Sequence, residues 1–163
     1  MVDRAVWLSI AVFMLMGSSA HAAREVREFD VFLDIPKPIF YVVPVEIDWI
    51  QNSQYLKWDP ISSTLASLRK EFDVRNNSGA ITASLLAKPV LSNGIAGQEI
   101  ALAVTFNDVT LSEVGDREAV SAADARLGSR VMLEIMPVKP ANGYRPGQYY
   151  GSVNMLFNAV APL

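Results

Sequence analysis

Glu46 and Asp48 stand two residues apart in an extended run, a spacing that puts both side chains on one face of a strand. Two neighbouring carboxylates can share acid and nucleophile roles or bind calcium. A solvated strand face gives the same pattern, and that is the reading we adopt. Asp116, Glu118 and Asp124 form a second acidic group, but without the oxygen-rich, glycine-hinged spacing of a calcium loop. The chain has no Cys, and its one His, His21, lies close to the N-terminus. The commonest general base, thiolate nucleophile and zinc ligands are therefore missing from the rest of the chain. We assign no catalytic, metal or cofactor-binding residues and do not expect an enzyme. Asn76-Asn77-Ser78 matches a glycosylation sequon, but with Gly79 it is also a turn signal, which accounts for it. Trp49, Trp58 and Tyr55 could form a sugar-stacking platform, although core or interface packing is the preferred reading. Tyr144, Tyr149 and Tyr150 cluster near Gly147 and Gly151, which reads as strand packing beside a bend.

The elements that would carry these residues follow from bulk properties first. At 163 residues, 51% hydrophobic and net charge −3, the chain suits one domain with its own core. A mildly acidic chain without a basic stripe is a poor candidate for nucleic acid. Residues 1–22 read as a secretory signal. Arg4 is followed by the apolar run Ala5–Met16, and Ala20-His21-Ala22 gives a small–x–small cleavage pattern with Ala20 and Ala22 as the small residues. The run is too short to span a bilayer, which takes about 20 apolar residues, and Arg24-Glu25-Val26-Arg27-Glu28 follows it. Export is expected, with no membrane span in the mature chain.

The remainder reads as strands, because Val, Ile, Thr, Tyr and Phe recur in short runs separated by Gly, Pro, Asn and Asp. Strands are predicted over 28–35, 39–49, 55–58, 68–74, 80–87, 98–106, 109–112, 130–136 and 148–160. Pro44 marks the second as an edge or a bend. Asn107-Asp108 reads as a tight two-residue hairpin, and residues 115–128 as a loop or helical turn. Along 148–160, Tyr149, Gly151, Val153, Met155 and Phe157 share one face. The fold class is all-β, an antiparallel immunoglobulin-like sandwich.

The first run needs a separate explanation. Phe29, Val31, Leu33 and Ile35 fall on one face, and Glu28, Asp30 and Asp34 fall on the other with Phe32; Pro36 and Pro38 end the run. It could pair within its own sheet, or it could be a detachable strand that completes another subunit. Strand addition takes affinity from main-chain hydrogen bonds and register from alternate side chains entering pockets. Four such side chains at roughly 1.5–3 kcal/mol each give about 6–12 kcal/mol before ordering costs.

Four stretches in order resemble one family. They are Phe29-Asp30-Val31-Phe32-Leu33-Asp34-Ile35; Leu56-Lys57-Trp58-Asp59-Pro60 running on to Phe72-Asp73-Val74 and Asn76-Asn77; Ala87-Lys88-Pro89-Val90-Leu91-Ser92 with Ile100–Phe106 and Val109-Thr110-Leu111-Ser112; and Pro146-Gly147-Gln148-Tyr149-Tyr150-Gly151-Ser152-Val153. Together they resemble the alpha-fimbrial class of chaperone–usher pilins, the coli-surface-antigen and colonization-factor type of fimbrial subunit. The resemblance implies an incomplete immunoglobulin-like sandwich that lacks its last strand, with an N-terminal donor strand. It divides the chain into a signal peptide (1–22), a donor strand (23–36) and a pilin domain (37–163). It also implies a periplasmic chaperone and an outer-membrane usher as partners, identical or related subunits as neighbours in a homopolymer, and transit through the periplasm to a cell-surface fimbrium with a role in adhesion. Phe29, Val31, Leu33 and Ile35 would be the donor residues. Tyr149, Gly151, Val153, Met155 and Phe157 would line the acceptor and chaperone-binding edge. The rival expectation is a monomeric secreted β-sandwich that binds carbohydrate or protein.

Overall fold

Alternation of apolar and polar residues organises the long strands. The computed structural model describes residues 25–35 and 39–161; the leader and its cleavage residues, Ala20 and Ala22, lie outside them. Along the chain come β1 (Phe40–Pro44), a 3-10 turn (Ile47–Trp49), β2 (Trp58–Asp59), β3 (Thr64–Leu65), β4 (Leu68–Asn76), β5 (Ile81–Leu85), β6 (Val90–Leu91), β7 (Ile100–Phe106), β8 (Val109–Thr110), β9 (Arg117–Val120), α1 (Ala122–Leu127), β10 (Ser129–Pro137) and β11 (Met155–Ala159). The chain divides after Ile35 into two units.

In the first unit, residues 25–35 form neither helix nor strand, and every one is exposed. This corrects the prediction of a strand with one buried face over 28–35. Alternation specifies what a strand would bury once it is paired, but carries no information about where its partner lies.

The second unit is a sandwich. Its larger sheet has the order β1-β4-β10-β7-β6, with β8 also paired to β7, and its smaller sheet has the order β11-β5-β9; β2 and β3 form a separate ribbon. All pairings are antiparallel. Phe72 and Val74 of β4, Leu102, Val104 and Phe106 of β7, and Val131, Leu133 and Ile135 of β10 turn inward and meet Ile81, Ala83 and Leu85 of β5. Polar partners face each other on the other side of the large sheet. Arg130 lies opposite Asp73 and Arg69 opposite Glu134 in register, and each pair closes a hydrogen-bonded ion pair at 2.8–2.9 Å, a cross-strand arrangement that supports this register.

Asn107 and Asp108 both take positive φ, 51° and 61°, as the predicted two-residue hairpin requires. The segment predicted as loop or helical turn holds β9 as well as α1. β9 was not predicted because Ala119 and Val120 are buried as neighbours, which breaks a period-two pattern; the register shift between Ile81 and Thr82 of its partner strand accommodates this. Ser121 caps α1, its Oγ accepting from the Asp124 N–H at 3.2 Å.

The predicted strand over 148–160 is broken. Tyr150 exchanges two backbone hydrogen bonds, 2.8 and 2.9 Å, with Ser92 beyond β6. The chain then passes Gly151 and joins the other sheet as β11, where Phe157 lies opposite Ala83. One segment therefore links both sheets.

Candidate functional site

The sandwich has an open apolar groove of about 280 Å³. Its floor is Leu68, Leu102, Leu133 and Ile135, supplied by β4, β7 and β10. One wall is Trp49, Ile50 and Leu56, from the segment after β1; the other is Leu91 with Gly151, Val153 and Met155. The wall residues Trp49, Leu56, Leu91, Val153 and Met155 pack against the core while remaining partly exposed.

The Trp49 wall is a tight local structure. Pro44 ends β1, and the backbone turns through the 3-10 segment. Asn52 Nδ2 donates to the Asp48 carbonyl at 2.8 Å, and Gln54 Nε2 donates to the Trp49 and Asn52 carbonyls at 2.9 Å. The Trp49 ring meets Phe72 edge-on at 5.9 Å, starting a row that continues through Phe106 to Phe157. Its indole N–H is buried without an acceptor among the described residues. Sequence reasoning had not assigned the floor leucines or this wall to a site. The signal it could have used is Pro44 followed by Trp49, a large aromatic placed just after a strand-ending residue.

Of the five residues expected to line an acceptor edge, Gly151, Val153 and Met155 line this groove. Phe157 reaches the core instead, 4.8 Å from the Phe106 ring. Tyr149 lines a neighbouring cleft of about 340 Å³ with Trp58, Tyr144 and Arg145. β11 ends its sheet and β1 ends the other, so each has a side that pairs with no strand among the described residues. Such edges offer unpaired N–H and C=O groups to an incoming chain. Phe29, Val31, Leu33 and Ile35, in the unit preceding the sandwich, are 75–80% exposed.

The other candidates are dispersed. Glu46 is ion-paired with Lys70 rather than coupled to Asp48. Asp116 accepts from Asn158 Nδ2 at 3.0 Å, and the Asp124 carboxylate from Ser121 Oγ at 2.6 Å. Among the described residues, no group of three or more His, Cys, Asp or Glu could hold a metal, and no helix is long and apolar enough to cross a membrane. Trp49, Trp58 and Tyr55 do not form a common platform. Trp49 packs inward, Trp58 meets Tyr144 edge-on at 5.5 Å, and Tyr55 is largely exposed. The sequon residue Asn76 is 1% exposed; its Nδ2 donates to the Ala80 carbonyl at 2.9 Å and its Oδ1 accepts from the Ser78 N–H at 3.0 Å. It is the last residue of β4 and braces the turn that follows, closed to a glycosylating enzyme in the fold.

Shifted carboxylates sit on the outer surface. The Arg130 hydrogen bond holds the Asp73 carboxyl below its ordinary value, and Arg69 does the same for Glu134. Asp59 is lowered by the Ser62 hydroxyl and the Ile61 N–H. Hydrogen bonding to the charged form accounts for all three.

Comparison with known proteins agrees with the fold. The CooA pilin subunit from enterotoxigenic Escherichia coli has a similar structure, with a TM-score of 0.54 and 21% identity over 63% of this chain and 75% of that chain. At that identity the similarity establishes the fold. No curated protein sequence matches the chain. A family model described as CS1 type fimbrial major subunit matches residues 26–158. The chain belongs to the CS1 type fimbrial major subunit family and is a structural subunit of a cell-surface fimbrium.

Proposed function

We propose that this subunit polymerises by strand donation: residues 29–35 of one copy enter the open groove of the next, with Phe29, Val31, Leu33 and Ile35 as the inserted side chains. The reading is supported chiefly by two complementary features: a segment with strand alternation whose apolar face is exposed, and a sandwich with an apolar groove and sheet edges that pair with no strand among the described residues. Gly151, Val153 and Met155 form the receiving wall, and β11, with Phe157, supplies the edge. Tyr149 belongs to the adjoining cleft and extends the receiving surface. Head-to-tail contacts of this kind grow into filaments when they do not close.

Residues 1–22 act as the export signal, cleaved after Ala22, followed by the donor segment to 36 and the pilin domain from 37. An exposed groove and sheet edge are an aggregation hazard. A periplasmic chaperone covers them during transit, and an outer-membrane usher exchanges the chaperone for the next subunit. The protein acts by assembly rather than by chemistry, and adhesion is a property of the fibre.

The test is expression with the cognate chaperone and usher, with and without residues 24–36, followed by electrophoresis of unboiled samples. A heat-sensitive ladder that vanishes on deletion supports donation. A soluble monomer in both lanes overturns it and favours a monomeric binding sandwich.

A further inference from the structure

Donation of residues 29–35 leaves Phe32 unexplained. If the odd-numbered residues face a groove, Asp30, Phe32 and Asp34 face the opposite way. The two carboxylates suit water, whereas a phenyl ring between them is an apolar group in want of a cover. Phe32 is 90% exposed, more than any of the four groove residues.

The segment that carries the Trp49 wall has a matching apolar excess. Ile47, Ile50 and Tyr55 are 70%, 56% and 87% exposed. Ile50 lines the groove and keeps more than half of its surface exposed. The segment bearing it is fixed by the Asn52 and Gln54 side-chain hydrogen bonds and by the Trp49–Phe72 contact. A fixed apolar rim beside an apolar groove suits a ligand with apolar groups on both faces. A strand with Phe32 between Val31 and Leu33 is such a ligand, and it is present in every copy of the chain.

We propose that Phe32 of the donating copy packs against the Ile50 rim of the receiving copy, so that the strand is held on both faces. The occupant is a second copy of this chain, and the inference rests on the strand-donation reading.

The test uses fibres of the full chain made with the cognate chaperone and usher, following collapse of the unboiled ladder to monomer at a fixed elevated temperature. Phe32→Ser should speed collapse about tenfold, equivalent to about 1.4 kcal/mol. Ile50→Ser should do likewise, and the double variant should collapse no faster than the faster single one, because both remove one contact. Phe32→Leu should recover most of the loss. Collapse unchanged by Phe32→Ser, or single effects that multiply to roughly a hundredfold in the double variant, overturns the contact. Val31→Arg separates this inference from the reading beneath it. A normal ladder with Val31→Arg defeats strand donation at that position, and with it the register that turns Phe32 away from the groove. Loss of the ladder with Val31→Arg, alongside unchanged collapse for Phe32→Ser, defeats only the Phe32–Ile50 contact.

Discussion

Gly151 lies against the backbone of Val90 with no room for a side chain: a Cβ at 151 would collide with the Val90 carbonyl oxygen. Gly151→Ala must therefore push the C-terminal segment away from β6, just where Tyr150 and Ser92 exchange their hydrogen bonds. Backbone offers none of the give of a flexible side chain, so a loss of about 2–3 kcal/mol is expected. Thermal unfolding of the assembled subunit measures it, and an unchanged midpoint would show that the close approach is relieved at little cost.

A second glycine holds the far end of β11. A side chain at Gly79 would strike the Val160 carbonyl oxygen, next to the bond from the Val160 N–H to the Ala80 carbonyl at 2.9 Å. Gly79→Ala should cost about 1–3 kcal/mol. Asn76→Ala should cost a similar amount, about 1–3 kcal/mol, by removing one of the two bonds to the Ala80 carbonyl, which keeps the Val160 N–H, and by leaving the Ser78 N–H without its acceptor. Urea midpoints of the two variants check both values.

The outer-face ion pairs predict acid sensitivity. Folding lowers Asp73 and Glu134 below their ordinary values of 3.8 and 4.5. Their contribution is complete above those values and is lost as pH falls through the lower folded ones. Stability should therefore owe these groups nothing variable between about pH 6 and 8 and should decline below about pH 4. Arg130→Gln should remove Asp73's share of that decline. Because the pairs are exposed, high salt should weaken them as well. Unfolding followed from pH 3 to 7, at low and high salt, tests both dependences.

Charge on the exposed segment should act on assembly rather than on folding. Val31→Arg and Leu33→Arg place guanidinium groups where the strand would enter an apolar groove, at a cost too large for a tight joint. Multimers should disappear while the chaperone-bound subunit keeps its unfolding midpoint. Normal fibres from the double variant would exclude these residues from the joint.

Long alternating runs were legible in the sequence. β4, β7 and β10 follow directly from their period-two patterns, and Asn107-Asp108 from its turn chemistry. Shorter elements were not: β6 is two residues long, below what periodicity can register, and β9 buries adjacent residues. Segment 148–160 shows a different limit. Its alternation continues across the break at Gly151, because Val153, Met155 and Phe157 face the core side throughout. The side-chain pattern records which face is buried, but not which sheet supplies the hydrogen bonds. The groove was half legible. Val153 and Met155 were in the expected set, whereas Leu68, Leu102, Leu133 and Ile135 read as ordinary core; Leu102, Leu133 and Ile135 are indeed buried, and only their place at the foot of the groove marks them as its floor.

The link that residues 148–159 make between the sheets also bears on the timing of folding. Tyr150 must find Ser92 and Phe157 must find Ala83, pairings that close long loops late in the chain. Contacts of such sequence separation slow the search for the native state. N-terminal fragments that stop before Met155 leave β5 as an uncovered edge. A chain made N-terminus first therefore keeps its smaller sheet unfinished until Met155–Ala159 is available to pair with β5.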